Sequence, residues 1–290
     1  MAFNLKSLIS DPHPDFAFEV SEAGLAWAKP GTAAMPDFTP LEEGVLSVSP
    51  LRDNIVKADA FAAAVRQVAG ASAGSRKRRR AVLVLPDFCA RVAVLDFDAF
   101  PSEAAEQLSL VRFRMKKSVP FDVEDSAIAY HAQTGADKRV SVVVVAAALE
   151  IVARYEAPFR AAGLQTGIVT TSSIAALEMD KEPGIALLLK LTGRVLSVSA
   201  MRDRALRLLR TVELPEVNTD EVLAVLVPTL AYVEDELGSR PARLVTCGFG
   251  PGEGIDLEAD TGIPAAPLTS RWGAAGQSNA GLLGYLESIQ

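Results

Sequence analysis

The chain has 290 residues, 49% of them hydrophobic and 22% charged, a composition that supports a sizeable core and about two globular domains. The net charge of −7 argues against a protein that binds nucleic acid or anionic membrane with its whole surface, and two cysteines without a C-x-x-C pair exclude a disulfide scaffold and a cysteine zinc site. The N-terminus lacks a signal-peptide pattern, and the longest apolar stretch, 142–149, is shorter than the roughly 18 residues that a membrane span needs. We therefore expect a soluble intracellular protein.

The first half of the sequence alternates short apolar stretches with helical patterns. A tight turn at 21–24 joins the first two strands. The helix 101–118 has Pro101 at its start, acidic residues near its N-terminus and basic residues near its C-terminus, as the helix dipole favours. The predicted strands are 16–20, 25–29, 44–48, 81–85, 91–97, 125–131, 139–147 and 164–169. The predicted helices are 59–69, 101–118, 149–162 and 172–179.

The second half of the sequence begins with a pattern that repeats the start of the first. Residues 16–29 and 185–201 each consist of an apolar strand, a tight polar turn and another apolar strand, which suggests a duplicated unit in an α/β fold with mixed sheets. Thr219 is expected to cap a long helix that Pro228 would kink. The predicted elements are strands 184–191, 195–201, 205–214 and 243–247, a glycine-rich loop 248–254, and helices 219–237, 255–262 and 280–288.

Local motifs point to little catalytic chemistry. The segment 70–74 matches the G-x-S-x-G pattern of hydrolases, but a helix precedes it and a strand follows, which is the reverse of the required order and indicates a linker. His131 lies alone on a predicted strand, and Cys89 and Cys247 are expected to be small core residues. The loop 248–254 lacks the lysine of a phosphate-binding loop, so a structural turn is the simpler interpretation of its glycines.

Five consecutive cations precede the strand 81–85. A solvated loop is the favoured interpretation of this run, and peripheral contact with anionic lipid headgroups is the alternative. We expect no nucleic-acid binding from it. The residues are Arg76, Lys77, Arg78, Arg79 and Arg80.

The segment 84–130 resembles the inserted subdomain of the PilM family of actin-like type IV pilus assembly proteins. The resemblance is carried by Leu85-Pro86-Asp87, Val119-Pro120-Phe121 and Tyr130, in that order. It implies an α/β, actin-like (duplicated RNase H-like) fold with an inserted α/β subdomain and a reduced second half. The first half would be 1–180, with the insert at about 81–148, and the second half 181–290.

The same resemblance implies a degenerate nucleotide cleft. Where actin-like ATPases carry Asp-Ile/Val-Gly at their two phosphate turns, this chain has Glu19-Val20-Ser21 and Lys190-Leu191-Thr192. Lys190 could neutralise a phosphate but cannot coordinate a metal. The cleft residues implied by the resemblance are Glu19, Ser21, Lys190, Thr192, Gly248 and Gly250.

A second departure from the family concerns size. The chain passes from the strand ending at Leu214 to the helix at Thr219, so the subdomain that covers the nucleotide is expected to be missing. We therefore expect no catalytic residue, no metal, no bound Mg-ATP and no ATP hydrolysis.

The resemblance implies a cytoplasmic scaffold that reaches the inner membrane through a partner. In the family, the short cytoplasmic tail of an inner-membrane pilus protein binds between the first actin-like subdomain and the insert. Phe88, Phe113 and Phe121 are candidate contacts because they lie in the insert, although core packing is the favoured role for each. The alternatives are a nucleotide-binding or weakly active ATPase that uses Glu19, and the actin-like cytoplasmic domain of a type II secretion protein. A membrane span would follow that domain, and none follows here before Gln290.

Overall fold

The computed structural model describes residues 13–32, 35–70, 79–134, 140–250 and 254–289. Its strands, in chain order, are β1 (Phe16–Ser21), β2 (Gly24–Ala28), β3 (Asp37–Pro40), β4 (Arg79–Leu85), β5 (Ala90–Phe97), β6 (Ser126–Thr134), β7 (Val140–Ala148), β8 (Leu164–Thr171), β9 (Ile185–Thr192), β10 (Val195–Arg202), β11 (Ala205–Glu213), β12 (Arg243–Cys247), β13 (Ala265–Pro267), β14 (Thr269–Ser270) and β15 (Gly273–Ala274). Its α-helices are α1 (Ala58–Ala69), α2 (Ala104–Met115), α3 (Leu149–Ala161), α4 (Ser172–Ala176), α5 (Thr219–Leu237), α6 (Leu257–Thr261) and α7 (Ala280–Ser288). Short 3₁₀ turns follow β4 at Asp87–Cys89 and α4 at Leu177–Met179.

Two five-stranded sheets with equivalent strand orders form the frame of the molecule. The first has the order β3-β2-β1-β4-β8, and the second has the order β11-β10-β9-β12-β13. Each sheet contains an antiparallel hairpin, β1-β2 in the first and β9-β10 in the second. On its other edge the first strand of each hairpin pairs in parallel with a later strand, β1 with β4 and β9 with β12. This equivalence confirms the duplicated unit predicted from the two strand–turn–strand segments.

Two predicted elements and one predicted helix cap were wrong, while the predicted bounds 219–237 of the long helix are confirmed. The third strand is not 44–48 but Asp37–Pro40, because these residues pair with the free edge of β2, while residues 44–48 carry only an isolated bridge. Helix α2 begins at Ala104 and ends at Met115, where the amides of the next residues turn back to the Met115 carbonyl. Helix α5 is capped by Asn218, not Thr219, since the Asn218 side chain accepts the Glu221 amide at 2.9 Å. It runs as one helix through Pro228.

Side-chain alternation decides what each face of the first sheet packs against. Phe16, Phe18 and Val20 of β1 join the core under α1 and α3. Ala17 points to the other face and packs with Leu282 and neighbouring residues of α7. Because successive strand residues alternate between faces, Glu19 lies on the α7 face of the sheet. The C-terminal helix therefore returns to cover the first sheet.

The second sheet follows the same rule. Leu187, Leu189 and Leu191 of β9 pack under α5, while Leu188 packs with α4 and α7 on the opposite face. Lys190 shares that face with Leu188, again because strand residues alternate. Glu19 and Lys190 therefore stand at equivalent positions of the duplicated unit, two residues before the end of β1 and β9 respectively. Both face the layer formed by α4 and α7.

A three-stranded antiparallel sheet, β5-β7-β6, is inserted between β4 and α3. Its one face packs on α2 through Val142 and Val144. Its other face contacts the second half, where Val92, Val94 and Val143 meet apolar residues of β10 and β11. The strand at the start of the predicted insert, β4, pairs instead with β1 and β8 of the first sheet. The inserted sheet therefore spans 90–148.

The second half is short between its last hairpin strand and its long helix, with only 214–218 between β11 and α5. Among the helices of the described residues, none combines the length and the apolar character that a membrane crossing requires.

Helices α4 and α7 approach each other at two glycines. A Cβ atom on Gly284 would lie 2.0 Å from the Ala175 carbonyl oxygen, and one on Gly281 would lie 2.7 Å from the Ser172 Cα. Real Cβ atoms do not approach backbone so closely, so both positions require glycine at this helix crossing.

We expect Gly284→Ala to lower the free energy of unfolding by at least about 1 kcal/mol, because the added methyl group meets backbone that cannot move aside. Urea unfolding measures this loss. Gly167→Ala is the matched control, since a Cβ there meets nothing within 4 Å. Equal stabilities for the two variants would contradict the close helix crossing.

Candidate functional site

The turns that end β1 and β9 face each other across a pocket of about 470 Å³. The duplicated topology produces this arrangement, because each half brings the tip of its first hairpin to the same junction. The pocket is lined from both halves, and four of the predicted cleft residues lie in it: Glu19, Ser21, Lys190 and Thr192. Asp87, which follows β4, also lines it.

The centre of this cleft is an ion pair between the two halves. The Lys190 Nζ lies 3.0 Å from Asp87 Oδ2, and the two side chains are 2% and 4% exposed. Lys190 also donates to Thr192 Oγ1 at 2.7 Å. An ammonium group buried so completely requires an anionic partner, and Asp87 provides it.

Asp87 connects three separate elements. Its Oδ1 accepts the Ser173 amide at 2.6 Å, at the start of α4. Its Oδ2 accepts the Ser173 hydroxyl at 2.7 Å, the Lys190 ammonium from β9 and the Ser197 hydroxyl from β10 at 3.3 Å. One carboxylate of the first half thus holds both the connecting helix and the second sheet.

Glu19 is held by a different set of donors. The Ser172 hydroxyl donates to Oε1 at 2.5 Å, and the Leu282 amide donates to Oε2 at 2.7 Å. Glu19 therefore joins β1 to the N-terminal ends of α4 and α7, where the helix dipole also favours a carboxylate.

Burial and charge act in opposite directions on these groups. Burial raises the pKa of Glu19, although Lys190 and the two hydrogen bonds act to lower it. For Lys190, burial alone would lower the pKa, but the negative charges of Asp87 and Glu19 raise it above its ordinary value. Lys190 is therefore a fixed cation between two buried carboxylates.

The predicted glycine positions do not converge on this pocket. Gly248 lies in the left-handed region, and a Cβ there would be 2.0 Å from the Leu191 carbonyl oxygen, so the residue allows β9 and the loop after β12 to touch. Its own carbonyl accepts the side-chain amide of Gln277 at 3.0 Å. Gly250 lines a separate, shallow depression beside α6. Residues 251–253 of the predicted glycine loop lie outside the described residues.

These residues do not fit a magnesium–nucleotide complex. Each carboxylate oxygen of Glu19 and Asp87 already accepts at least one hydrogen bond, and the Lys190 ammonium group pairs with Asp87. Within the described ranges, no three His, Cys, Asp or Glu side chains are grouped as metal ligands. The chemistry of the donor set therefore favours internal bonding over metal coordination.

The three candidate phenylalanines lie in three different places. Phe88 lines the cleft under the Arg91 guanidinium, which stacks on its ring at 5.4 Å. Phe121 packs on the edge of the insert core and also lines a surface crevice. Phe113 is 74% exposed on α2, so the favoured core role was wrong for this residue.

Only the last two cations of the basic run 76–80 lie among the described residues. Residues 76–78 lie outside the described residues, while Arg79 and Arg80 begin β4. The Arg79 guanidinium donates to the carbonyl oxygens of Ala69 and Ala162 and lies 5.5 Å from the Phe16 ring centre. Arg79 therefore acts within the fold, tying the ends of α1 and α3 to β4.

A small crevice of about 120 Å³ lies where the first half meets the insert. We call it the tail crevice; it is lined by Pro50, Leu51, Arg52, Asp53, Phe121, Ala148, Glu150, Ile151 and Arg154. Leu51 is 62% exposed, and Leu149, next to the lining residues, is 56% exposed. Arg154 pairs with Asp53 at 3.0 Å and with Glu150 at 3.3 Å, so charges surround an apolar centre.

Several residues of the cleft were not predicted from the sequence. Asp87 was recognised only as part of the Leu-Pro-Asp motif, and Ser172, Ser173, Ser197 and Gln277 were not singled out. Ser172 directly follows β8, and Asp87 is two residues beyond the end of the parallel strand β4. Polar residues at the carboxyl ends of parallel strands are a known signal for a shared site. Ser197 and Gln277 carry no such signal, because only the tertiary fold brings them to the cleft.

Glu19→Ala should lose at least about 2 kcal/mol of unfolding free energy, because it leaves the buried Leu282 amide and Ser172 hydroxyl without an acceptor. Glu19→Gln should lose much less, since its amide oxygen accepts the Leu282 amide and its NH₂ donates to Ser172. Urea unfolding compares the two, and equal losses would contradict the role assigned to the hydrogen bonds.

Burial raises the pKa of both Cys89 and Cys247 to about 12. Ellman's reagent should therefore react with neither thiol in the native protein at pH 8 and with both in denaturant. In the unfolded chain these thiols ionise near pH 9, whereas in the native protein they remain protonated. The free energy of unfolding is therefore unaffected by the two thiols below pH 9 and decreases as the pH rises toward 12. The urea concentration at the midpoint of unfolding should therefore decrease when the pH is raised from 8 to 10. The decrease should be smaller in Cys247→Ala, which lacks one of the two thiols.

Comparison with known proteins gives a consistent picture of the fold. No protein-family model matches the chain. No curated protein sequence matches it either. Among solved structures, the chain is similar to one from a PilM–PilN type IV pilus biogenesis complex, with a TM-score of 0.73 and 17% identity over 95% of this chain and 98% of that one.

Two further structures share the architecture. One is the cytoplasmic domain of EpsL, an inner-membrane component of the type II secretion system of Vibrio cholerae (TM-score 0.54, 13% identity, 94% of each chain). The other is a Bacteroides thetaiotaomicron protein with an actin-like ATPase fold and unknown function (TM-score 0.50, 11% identity, 86% of this chain and 89% of that one). The chain thus has the actin-like fold, as the resemblance implied, and its structure is similar to PilM over nearly its whole length.

Proposed function

We propose that this protein is a non-catalytic cytoplasmic adaptor of a type IV pilus or related inner-membrane assembly platform. It binds a short cytoplasmic tail of a membrane partner in the tail crevice. The observation that carries the proposal is the crevice itself, which is lined from both the first half and the insert and has exposed leucines at its edge.

The chemistry of the tail crevice suits an extended segment with an apolar side chain. Ile151 and Phe121 provide apolar surface, and Leu51 stands exposed beside them. At about 120 Å³ the crevice accepts a few side chains and not a folded domain. Exposed apolar groups within a charged border are typical of surfaces that bind peptides.

The comparisons support the setting of this proposal. One similar structure comes from a complex of PilM with PilN, and another is the cytoplasmic domain of an inner-membrane secretion component. A tail would bring the adaptor to the membrane without a lipid contact of its own. Because Arg79 is engaged within the fold, a membrane contact by the run 76–80 would depend on its other cations.

The non-catalytic part of the proposal depends on the cleft. Hydrolysis of a nucleotide requires positioned metal ligands and a closed site. Here the carboxylates are bonded internally, and α5 follows β11 almost directly, without a subdomain to cover the pocket. A pocket of about 470 Å³ is large enough for a small molecule, which keeps nucleotide binding without hydrolysis as the second candidate.

Peptide titration tests the adaptor function. Fluorescently labelled peptides that span the cytoplasmic tails of single-span pilus and secretion proteins from the same genome should include one that binds saturably. Leu51→Asp and Phe121→Ala should each weaken its binding at least tenfold, because they place charge in the crevice or remove its apolar surface.

Phe113→Ala is the matched control, since it removes another phenylalanine of the insert that is exposed on α2, away from the crevice lining. It should bind as the unaltered protein does. Absence of binding to every tail, or equal loss in Phe113→Ala, would refute the assignment of the crevice.

A further inference from the structure

We propose that the Asp87–Lys190 ion pair is a latch that fixes the two halves in one closed arrangement, so that the width of the cleft does not respond to nucleotide. This inference does not depend on the tail-binding proposal.

The latch joins residues that no local structure would keep together. Asp87 follows β4 of the first sheet, whereas Lys190 lies within β9 of the second. Their atoms meet at 3.0 Å, and Ser197 of the second sheet donates to the same carboxylate. Opening the cleft would separate these groups and expose Lys190 and Asp87 without their partners.

Lys190 also acts as an internal counter-ion. Glu19 and Asp87 are two carboxylates buried at the same junction, and a buried anion requires a cation nearby. Lys190 supplies that cation from the chain itself, at the position equivalent to Glu19 in the other half. The junction therefore needs no bound ion to remain closed.

The insert closes the same pair of halves from another side. The Gln133 side-chain amide donates to the Leu206 carbonyl at 2.9 Å and accepts the Leu206 amide at 2.8 Å, so it binds the outer edge of β11 as a neighbouring strand would. Val92 and Val94 pack on the same strand region. Both contacts oppose a hinge motion between the halves.

The chain contains its own reporters for opening. Cys89 is two residues after Asp87, and Cys247 is the parallel-strand neighbour of Lys190. Both thiols are buried, with 0% and 1% exposure. Their reaction with iodoacetamide, resolved by peptide mass spectrometry, measures how often each side of the latch opens.

The decisive variants remove the charges in steps. Lys190→Met leaves Asp87 buried without its cation and should label at Cys247 at least tenfold faster than the unaltered protein. If this variant fails to fold, the double variant Asp87→Asn with Lys190→Met decides, because Asp87 then carries no unpaired charge and Glu19 keeps its Ser172 and Leu282 donors. Cys247 of the double variant should still be labelled at least tenfold faster than the rate calculated from that variant's own free energy of unfolding, measured in urea.

Val233→Ala is the control, since Val233 belongs to α5 and is buried where that helix packs on the opposite face of the second sheet. Its labelling should follow its unfolding free energy alone. The latch is overturned if the double variant labels no faster than its own unfolding free energy accounts for, as is expected of Val233→Ala. It is also overturned if millimolar Mg-ATP raises the labelling rate of the unaltered protein, because nucleotide would then open the halves, whereas binding to the closed protein can only slow labelling.

Discussion

The rest of the structure depends on the neutralisation of buried charge at the junction of its two halves. Glu19 and Asp87 lie at the ends of the strands that meet there, and Lys190 comes from the opposite sheet to face them. A buried ion pair adds little net stability over apolar packing, but breaking it is costly because one charge is left alone. Such a pair therefore selects one arrangement of the halves more than it strengthens the fold.

The duplicated unit explains why this junction exists. Each half presents the same hairpin and the same parallel neighbour, so equivalent positions of β1 and β9 face a common layer of α4 and α7. One position carries a carboxylate and the other an ammonium group. In a cleft built to hold a metal, both positions would need oxygen ligands. With an ammonium group at one of them, the junction is bonded internally.

The insert connects this junction to the surface that we assign to a partner. Its one face packs on α2, its other face contacts β11, and its edge forms the tail crevice with α3 and residues 50–53. The contacts of Gln133 with Leu206 tie the insert to the second half, and the latch that we propose would add to this restraint on the walls of the crevice. Preorganised binding surfaces lose less entropy on association than mobile ones, which suits an adaptor with a short peptide partner.

The sequence by itself determined the strand–turn–strand duplication, the long apolar strands and most helices, because these features depend on local periodicity and spacing. It also pointed to Glu19, Ser21, Lys190 and Thr192 through the resemblance. It misplaced the third strand, since Asp37–Pro40 are recruited by the free edge of β2 and not by their own propensity. Only the tertiary structure decided that Asp87 meets Lys190, that Gly250 lines a separate depression, and that Phe113 is exposed while Phe121 borders a crevice. These facts depend on contacts between residues far apart in the chain, and no local pattern encodes which distant side chain will complete a buried charge.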